Sequence, residues 1–190
     1  MHITGGRFKN RQVQIGTQKG IRPTSAKVRE ALFSIIGQDW TGWSFLDAFG
    51  GSGIMGLEAA SRGAHPVLIS EQNKRASMMI RKTIEQVTDQ IDVRNMDALK
   101  ALDQAWDIVF MDPPYHMSIE PFLNKAFQTA KVYIVAETSS DKSPSVEEEV
   151  SLQGKKWVVW KRKVYGASML TIFYNEALDE EVESDEPVEN

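Results

Sequence analysis

Between Trp43 and Glu137 the chain switches repeatedly between two hydrophobic patterns. Short apolar runs at Ser44–Ala48, Val67–Ser70, Ile91–Arg94, Ile108–Met111 and Val132–Ala136 alternate with longer stretches near Ile54–Ser61, Lys74–Val87 and Ile119–Ala130. The short runs suit buried strands and the longer ones suit helices. Strands that alternate with helices build βαβ units, so the pattern predicts an α/β fold with a mostly parallel sheet and helices on both faces. After Glu137 the alternation stops. A polar loop, Thr138–Glu149, leads to two β-like runs, Trp157–Val164 and Ser168–Tyr174, broken at Tyr165-Gly166. They predict an antiparallel hairpin added to the sheet. Upstream, residues 1–20 read as short strands with glycine turns, a hairpin-like arm. A helix follows, capped by Thr24 or Ser25, with Val28, Ala31, Leu32, Ile35 and Ile36 on one face and Gly37 as its stop.

The 190 residues suit one domain. We expect a domain over 1–175, made of a basic arm (1–22) and a core (23–175), followed by an acidic, disordered tail at 176–190. Charge supports the division. From Glu176 onward there are eight acids and no Lys or Arg, so the 175 residues before it carry 18 acids against 22 bases, a charge of +4. Arg7, Lys9, Arg11, Arg22 and Arg29 lie early in the chain, and Lys161, Arg162 and Lys163 form a late cluster. Basic patches at two places point to a polyanionic partner, though solvated surface charge would look the same. No cysteine is present, which excludes disulfides, thiol chemistry and Cys-ligated zinc. His2, His65 and His116 show no ligand spacing, so no metal is expected. The longest apolar run is far short of a membrane span and Met1–Arg11 is polar and basic, so the expected setting is the cytoplasm with no membrane partner.

Two motifs carry chemistry. Asp47-Ala48-Phe49-Gly50-Gly51-Ser52-Gly53 ends the first parallel strand and enters a helix, where open α/β sheets bind ligands. Gly51, Gly53 and Gly56 also satisfy G-x-G-x-x-G, which would suggest a dinucleotide. Asp47 argues otherwise: a carboxylate there crowds a pyrophosphate but suits the amino group of a methionine moiety. Glu71, at the next strand end, suits a ribose diol. Asp97, followed by Ala98 after the third strand, suits an adenine amine. The second motif is Asp112-Pro113-Pro114-Tyr115, directly after Ile108–Met111. Two prolines remove N–H donors and leave carbonyl acceptors. With the Asp112 carboxylate they make a paired acceptor site for an –NH₂ group, and Tyr115 offers a face on which a base can stack.

These motifs resemble those of class I S-adenosylmethionine-dependent amino-methyltransferases. Gly5-Gly6, Arg22-Pro23-Thr24, Val28-Arg29-Glu30-Ala31-Leu32-Phe33, Leu57-Glu58-Ala59, Ser61-Arg62-Gly63-Ala64 and Tyr165-Gly166 narrow the resemblance to the bacterial 16S rRNA guanine-N2 methyltransferases of the RsmD type. It runs from about Ile3 to Tyr174. Gly50 stands where that family usually has Ala, and the acidic tail falls outside the pattern. The resemblance implies a Rossmann-like, seven-stranded sheet with an N-terminal β-hairpin arm that grips RNA. It implies S-adenosylmethionine held by Asp47–Gly53, Glu71, Asp97 and Ala98, and a target base held by Asp112–Tyr115. The implied substrate is one guanosine of small-subunit rRNA, presented in a ribosomal assembly intermediate to a monomeric enzyme. Arg7, Lys9, Arg11, Arg22, Arg29 and Lys161–Lys163 are the expected RNA contacts.

The residues support that chemistry independently. An exocyclic amine is a poor nucleophile, and hydrogen bonds from it to Asp112 and the Pro113 carbonyl localise its lone pair toward a sulfonium methyl. Transfer is then mainly positioning. Two other readings remain at this point. An adenine-N6 DNA methyltransferase would use the same Asp-Pro-Pro-Tyr, but 190 residues leave no room for a target-recognition domain of about 100 residues. A non-catalytic or NAD-binding Rossmann module explains the glycines and leaves Asp47 and Asp112–Tyr115 without a purpose.

Overall fold

The computed structural model describes residues 1–13, 24–114, 116–141 and 147–179. Strands β1 (Phe45–Asp47), β2 (Val67–Ser70), β3 (Ile91–Arg94), β4 (Ile108–Met111) and β5 (Tyr133–Ser139) pair in parallel. Strands β6 (Glu149–Leu152), β7 (Lys155–Tyr165) and β8 (Ser168–Asn175) extend the sheet antiparallel, in the order β3-β2-β1-β4-β5-β8-β7-β6. The strand order reverses between β1 and β4, which opens a crevice at their carboxyl ends.

The sheet has eight strands, not seven. The extra one, β6, starts at Glu149, the last residue of the stretch read as a polar loop, and runs to Leu152 over residues that the sequence pattern places in no element. It is an edge strand that packs Val150 and Leu152 against the core and leaves Glu149 and Ser151 in water, so its composition looks like a loop.

Helices α1 (Ala26–Ile36), α2 (Ile54–Ser61) and α3 (Lys74–Glu85) cover one face; α4 (Ala98–Ala101) and α5 (Glu120–Thr129) cover the other. Ser25 is the α1 cap, its hydroxyl accepting from the Val28 N–H. The buried face of α1 is Val28, Arg29, Leu32 and Phe33, turned from the expected stripe because the Arg29 side chain enters the core. α2 is buried along its whole length. Gly56 makes that possible, since a Cβ there would lie 2.5 Å from Ile69 Cδ1 on β2.

The beginning of the arm is a loop clamped onto the far end of α2. His2 and Gln12 form one antiparallel bridge, the Arg7 N–H donates to Ser61 O at 2.7 Å, and the Phe8 N–H donates to Ser61 Oγ at 2.9 Å. The rest of the expected hairpin, with Arg22, lies outside the described residues. At the other terminus Glu176 pairs with Lys156 at 2.8 Å and Asp179 accepts from the Tyr174 hydroxyl at 2.7 Å. The first residues assigned to a disordered tail are therefore packed on the sheet. No helix among the described residues is long and apolar enough to cross a membrane.

Candidate active site

At the carboxyl edge of the sheet, three neighbouring strands each bring an acid: Asp47 ends β1, Asp112 follows β4, and Glu137 lies in β5 two residues before its end. Phe45, Phe110 and Val135 point into the core beneath α1–α3. Two residues on, with the alternation of a strand, Asp47, Asp112 and Glu137 follow on that same face. Asp47 is 2% exposed, and among the described residues its only hydrogen bond is a long one, 3.3 Å, from the Phe49 N–H. Burial pushes its carboxyl up to about 7; the Phe49 bond opposes this and the Glu71 charge adds to it. Asp112 is raised to about 8, first by burial, then by Glu137, then by Asp47. No donor reaches the Asp112 carboxylate among the described residues. Among the described residues no cation pairs with Asp47 or Asp112.

The glycine loop is held tightly around the crevice. The Gly50 N–H donates to Ser70 O at 2.7 Å and the Gly53 N–H to Gly50 O at 2.6 Å. Gly53, at φ 75°, starts α2 in a left-handed conformation with no side chain over the helix end. Glu71, half-buried, accepts from the Gly51 N–H at 3.3 Å and the Asn73 N–H at 2.7 Å, so the loop and the β2 end share one carboxylate. Phe49 stands edge-on to Phe122, ring centroids 4.9 Å apart, and closes the apolar side. Ser52 is buried and its hydroxyl accepts from the Ile54 N–H at 3.4 Å.

The remaining predicted residues fall in different places. Asp97 caps α4, with Oδ1 accepting from the Leu99 N–H at 2.8 Å, and Ala98 is buried. Pro113 is buried and Pro114 exposed; its carbonyl accepts from the Met117 N–H at 2.8 Å. Tyr115 lies outside the described residues. Arg29, expected to touch RNA, is 1% exposed and donates to Glu58 at 3.0 Å, Thr24 O at 2.7 Å and His2 O at 3.0 Å. It is a structural residue, because a buried guanidinium needs those acceptors. Arg7 donates to Gln90, and Arg11 to the carbonyls of Gln86 and Val87 at the end of α3. Both sit toward the amino ends of the strands, since Gln90 immediately precedes β3, whereas the carboxylates lie at the carboxyl ends. Lys9 is exposed on the same loop. Arg162 pairs with Glu148 at 3.0 Å, while Lys161 and Lys163 are exposed. Among the described residues no group of three or more His, Asp or Glu is arranged to hold a metal ion.

Glu137 escaped the sequence reading. It follows an apolar run just as Glu71 and Asp112 do, and that recurrence is the signal that identifies it.

The family model described as Conserved hypothetical protein 95, the RsmD family, matches residues 1–174. The chain belongs to that family. The family's Ribosomal RNA small subunit methyltransferase D of Haemophilus influenzae is 28% identical over 188 residues, 92% of this chain and 94% of that protein. The tRNA (guanine(26)-N(2))-dimethyltransferase of Methanoculleus marisnigri is 31% identical over 53% of this chain and 27% of its own length. Among solved structures, the Escherichia coli protein yhhF superposes with a TM-score of 0.78 at 26% identity, covering 93% of this chain and 98% of that one. The sheet is that of a class I methyltransferase, with eight strands here.

Proposed function

We propose that the chain is an S-adenosylmethionine-dependent methyltransferase acting on the exocyclic N2 amine of a guanosine in small-subunit rRNA. The observation that carries this reading is the edge formed by Asp47, Asp112 and Glu137: three carboxylates on one face at the carboxyl edge of the sheet, of which Asp47 and Asp112 have no cationic partner among the described residues. The donor set fits the cofactor. Its ammonium and sulfonium groups would bring positive charge to the Asp47 and Asp112 carboxyls, whereas a pyrophosphate would be repelled. When bound, it supplies an activated methyl group. Asp47 holds the amino end, Glu71 accepts from the ribose diol, and the loop Phe49–Gly53 wraps the space between. Asp97 and Ala98 flank the base end.

Guanine presents two adjacent donors, N1–H and N2–H₂, where adenine presents one donor and one acceptor. Asp112 and Glu137, side by side, offer two acceptors and so favour guanine over the adenine-N6 alternative. They orient the amine so that its lone pair meets the methyl carbon in line. With the cofactor bound, methyl transfer would form the N–C bond as the S–C bond breaks, leaving the amine cationic, and it would then lose a proton. Asp112, raised to about 8, is matched to take that proton near neutral pH. Membership of the family supports rRNA as the substrate class, and the kinship with a tRNA guanine-N2 enzyme supports the position. An assembly intermediate, with its rRNA still open, suits a site that must receive a base freed from its stack.

Radiolabelled S-adenosylmethionine offered with small-subunit rRNA, with partly assembled subunits and with DNA tests the reading. Label in N2-methylguanosine after nuclease digestion is the expected result. Label in N6-methyladenine, or in DNA alone, would overturn it.

A further inference from the structure

Strand β7 carries a bulge, and the bulge re-aims a basic stripe. Val159 pairs with Phe173, but Lys161 pairs with Ile172, so Trp160 is the extra residue. Phe173 faces the α4–α5 side, whereas Ile172 and Leu170 face the α1–α3 side. Without the bulge, alternation would send Lys161 and Lys163 to the α4–α5 side. With it, Lys161 lies opposite Ile172, Lys163 opposite Leu170, and Tyr165 packs on the α1–α3 core. These three therefore share the face that carries Asp47, Asp112 and Glu137.

Aromatic rings interleave with the charges. Trp160 is 37% exposed, with its ring centroid 5.6 Å from that of Tyr133 and 6.3 Å from that of Tyr174. Lys161 Nζ lies 5.5 Å from the Trp160 centroid. Lys27, from α1, places its ammonium 5.8 Å from the Tyr165 centroid. The upper end of the stripe reaches the catalytic edge: Tyr165 pairs with Ser168, which pairs with Ser139, two residues beyond Glu137. The Ser140 N–H ties the hairpin turn there, donating to Ala167 O at 2.8 Å. At the lower end stand Glu176 and Asp179, which repel a phosphate backbone and so give the stripe a direction, upward from Trp160.

We propose that Trp160, Lys161, Lys163, Tyr165 and Lys27 form a track for the single-stranded rRNA that flanks the target nucleotide, with Trp160 as its stacking platform. The proposal rests on the rRNA reading above. Flat rings between spaced ammonium groups are what a single strand requires: a ring accepts any base and the lysines neutralise phosphates. The stripe ends where a nucleotide must leave its strand to enter the carboxylate pocket.

The test measures binding of transcribed small-subunit rRNA to the full chain across a salt series. Trp160→Ala should weaken binding by about 5- to 100-fold, the range for loss of one base stack, while Trp160→Phe should stay within about threefold of the parent. The double variant Lys161→Gln/Lys163→Gln should flatten the slope of log affinity against log salt by about 1.4, at roughly 0.7 per phosphate contact on a single strand. S-adenosylmethionine affinity, measured by calorimetry, should not move in any of them, and it also reports that each variant is folded. Parent-like affinity and slope in both variants would overturn the track while leaving methyl transfer by the parent intact. A parent that places no label in rRNA would overturn both readings.

Discussion

The molecule buries carboxylates in two regions and treats them in opposite ways. On α2, Glu58 is fully buried and completely answered. It accepts from the Thr4 N–H at 2.9 and 3.1 Å, the Thr4 hydroxyl at 2.9 Å, Arg29 at 3.0 Å and Arg62 at 2.5 Å. The Arg62 guanidinium also lies 3.8 Å over the Phe33 ring. That cluster fastens the N-terminal loop, α1 and α2 together. At the carboxyl edge of the sheet, Asp47 is buried and Asp112 half-buried with almost nothing among the described residues to answer them, and desolvation pushes their carboxyls up to about 7 and about 8. Burial without a partner costs several kcal/mol per charge unless the group stays protonated. The fold bears that cost only at the edge where a cationic ligand would remove it. The contrast separates a charge kept for structure from a charge kept for chemistry.

Exchanging the losses at the two regions gives the largest expected effects. Asp112→Ala should lower methyl transfer by roughly 10²–10⁴-fold, the scale of a positioned acid–base group. Its melting temperature should equal or exceed the parent's, because a poorly answered carboxyl has gone. Glu58→Ala should do the reverse. It leaves two guanidiniums buried without their shared anion, so stability should fall by about 3–5 kcal/mol in a urea melt. Whatever protein remains folded should still bind S-adenosylmethionine. If Asp112→Ala melts well below the parent, or Glu58→Ala unfolds like it, the division between the two regions is wrong.

Glu71 sits between these extremes, since it has partners in the loop and faces the crevice. Glu71→Ala should weaken S-adenosylmethionine binding by about 1–3 kcal/mol through loss of a charged acceptor for the ribose diol. Calorimetry measures this. An unchanged dissociation constant would reassign Glu71 to supporting the Gly51 and Asn73 N–H groups.

The same contrast explains what could be read from the sequence. Four of the five parallel strands were legible because each is an apolar run buried on both faces, β3 because its Ile91 and Val93 alternate with exposed Asp92 and Arg94, and the Asp47–Gly53 and Asp112–Pro114 motifs were legible because they follow such runs. β6 was not, since an edge strand with one wet face has the composition of a loop. Arg29 was misread as an RNA contact because sequence counts a charge without showing what surrounds it. Its partners, Glu58 and the carbonyls of His2 and Thr24, come from three separate segments. Glu137 was missed because its importance lies in standing beside Asp112 across the β4–β5 pairing. The bulge at Trp160 was invisible for the same reason: a register shift exists only between two strands.

The effect that probes the carboxylate edge most directly is its response to pH. In the unfolded chain Asp47 and Asp112 ionise near pH 4. In the ligand-free fold they hold their protons to about 7 and about 8. Between pH 4 and 8 the folded chain therefore binds more protons than the unfolded one. These two groups should make it lose stability as pH rises through that window. A ligand that brings an ammonium and a sulfonium group favours the ionised carboxylates, so binding should release protons and tighten with pH. The gain approaches tenfold per pH unit for each proton released, and it levels off above about pH 8. Calorimetry of S-adenosylmethionine binding from pH 6 to 8.5, in buffers of different ionisation enthalpy, reads both quantities. Asp112→Asn should remove part of the proton release while keeping an oxygen acceptor. Binding that neither tightens with pH nor releases protons would show that the two carboxyls are already ionised without ligand, and the contrast with Glu58 would then lose its electrostatic basis.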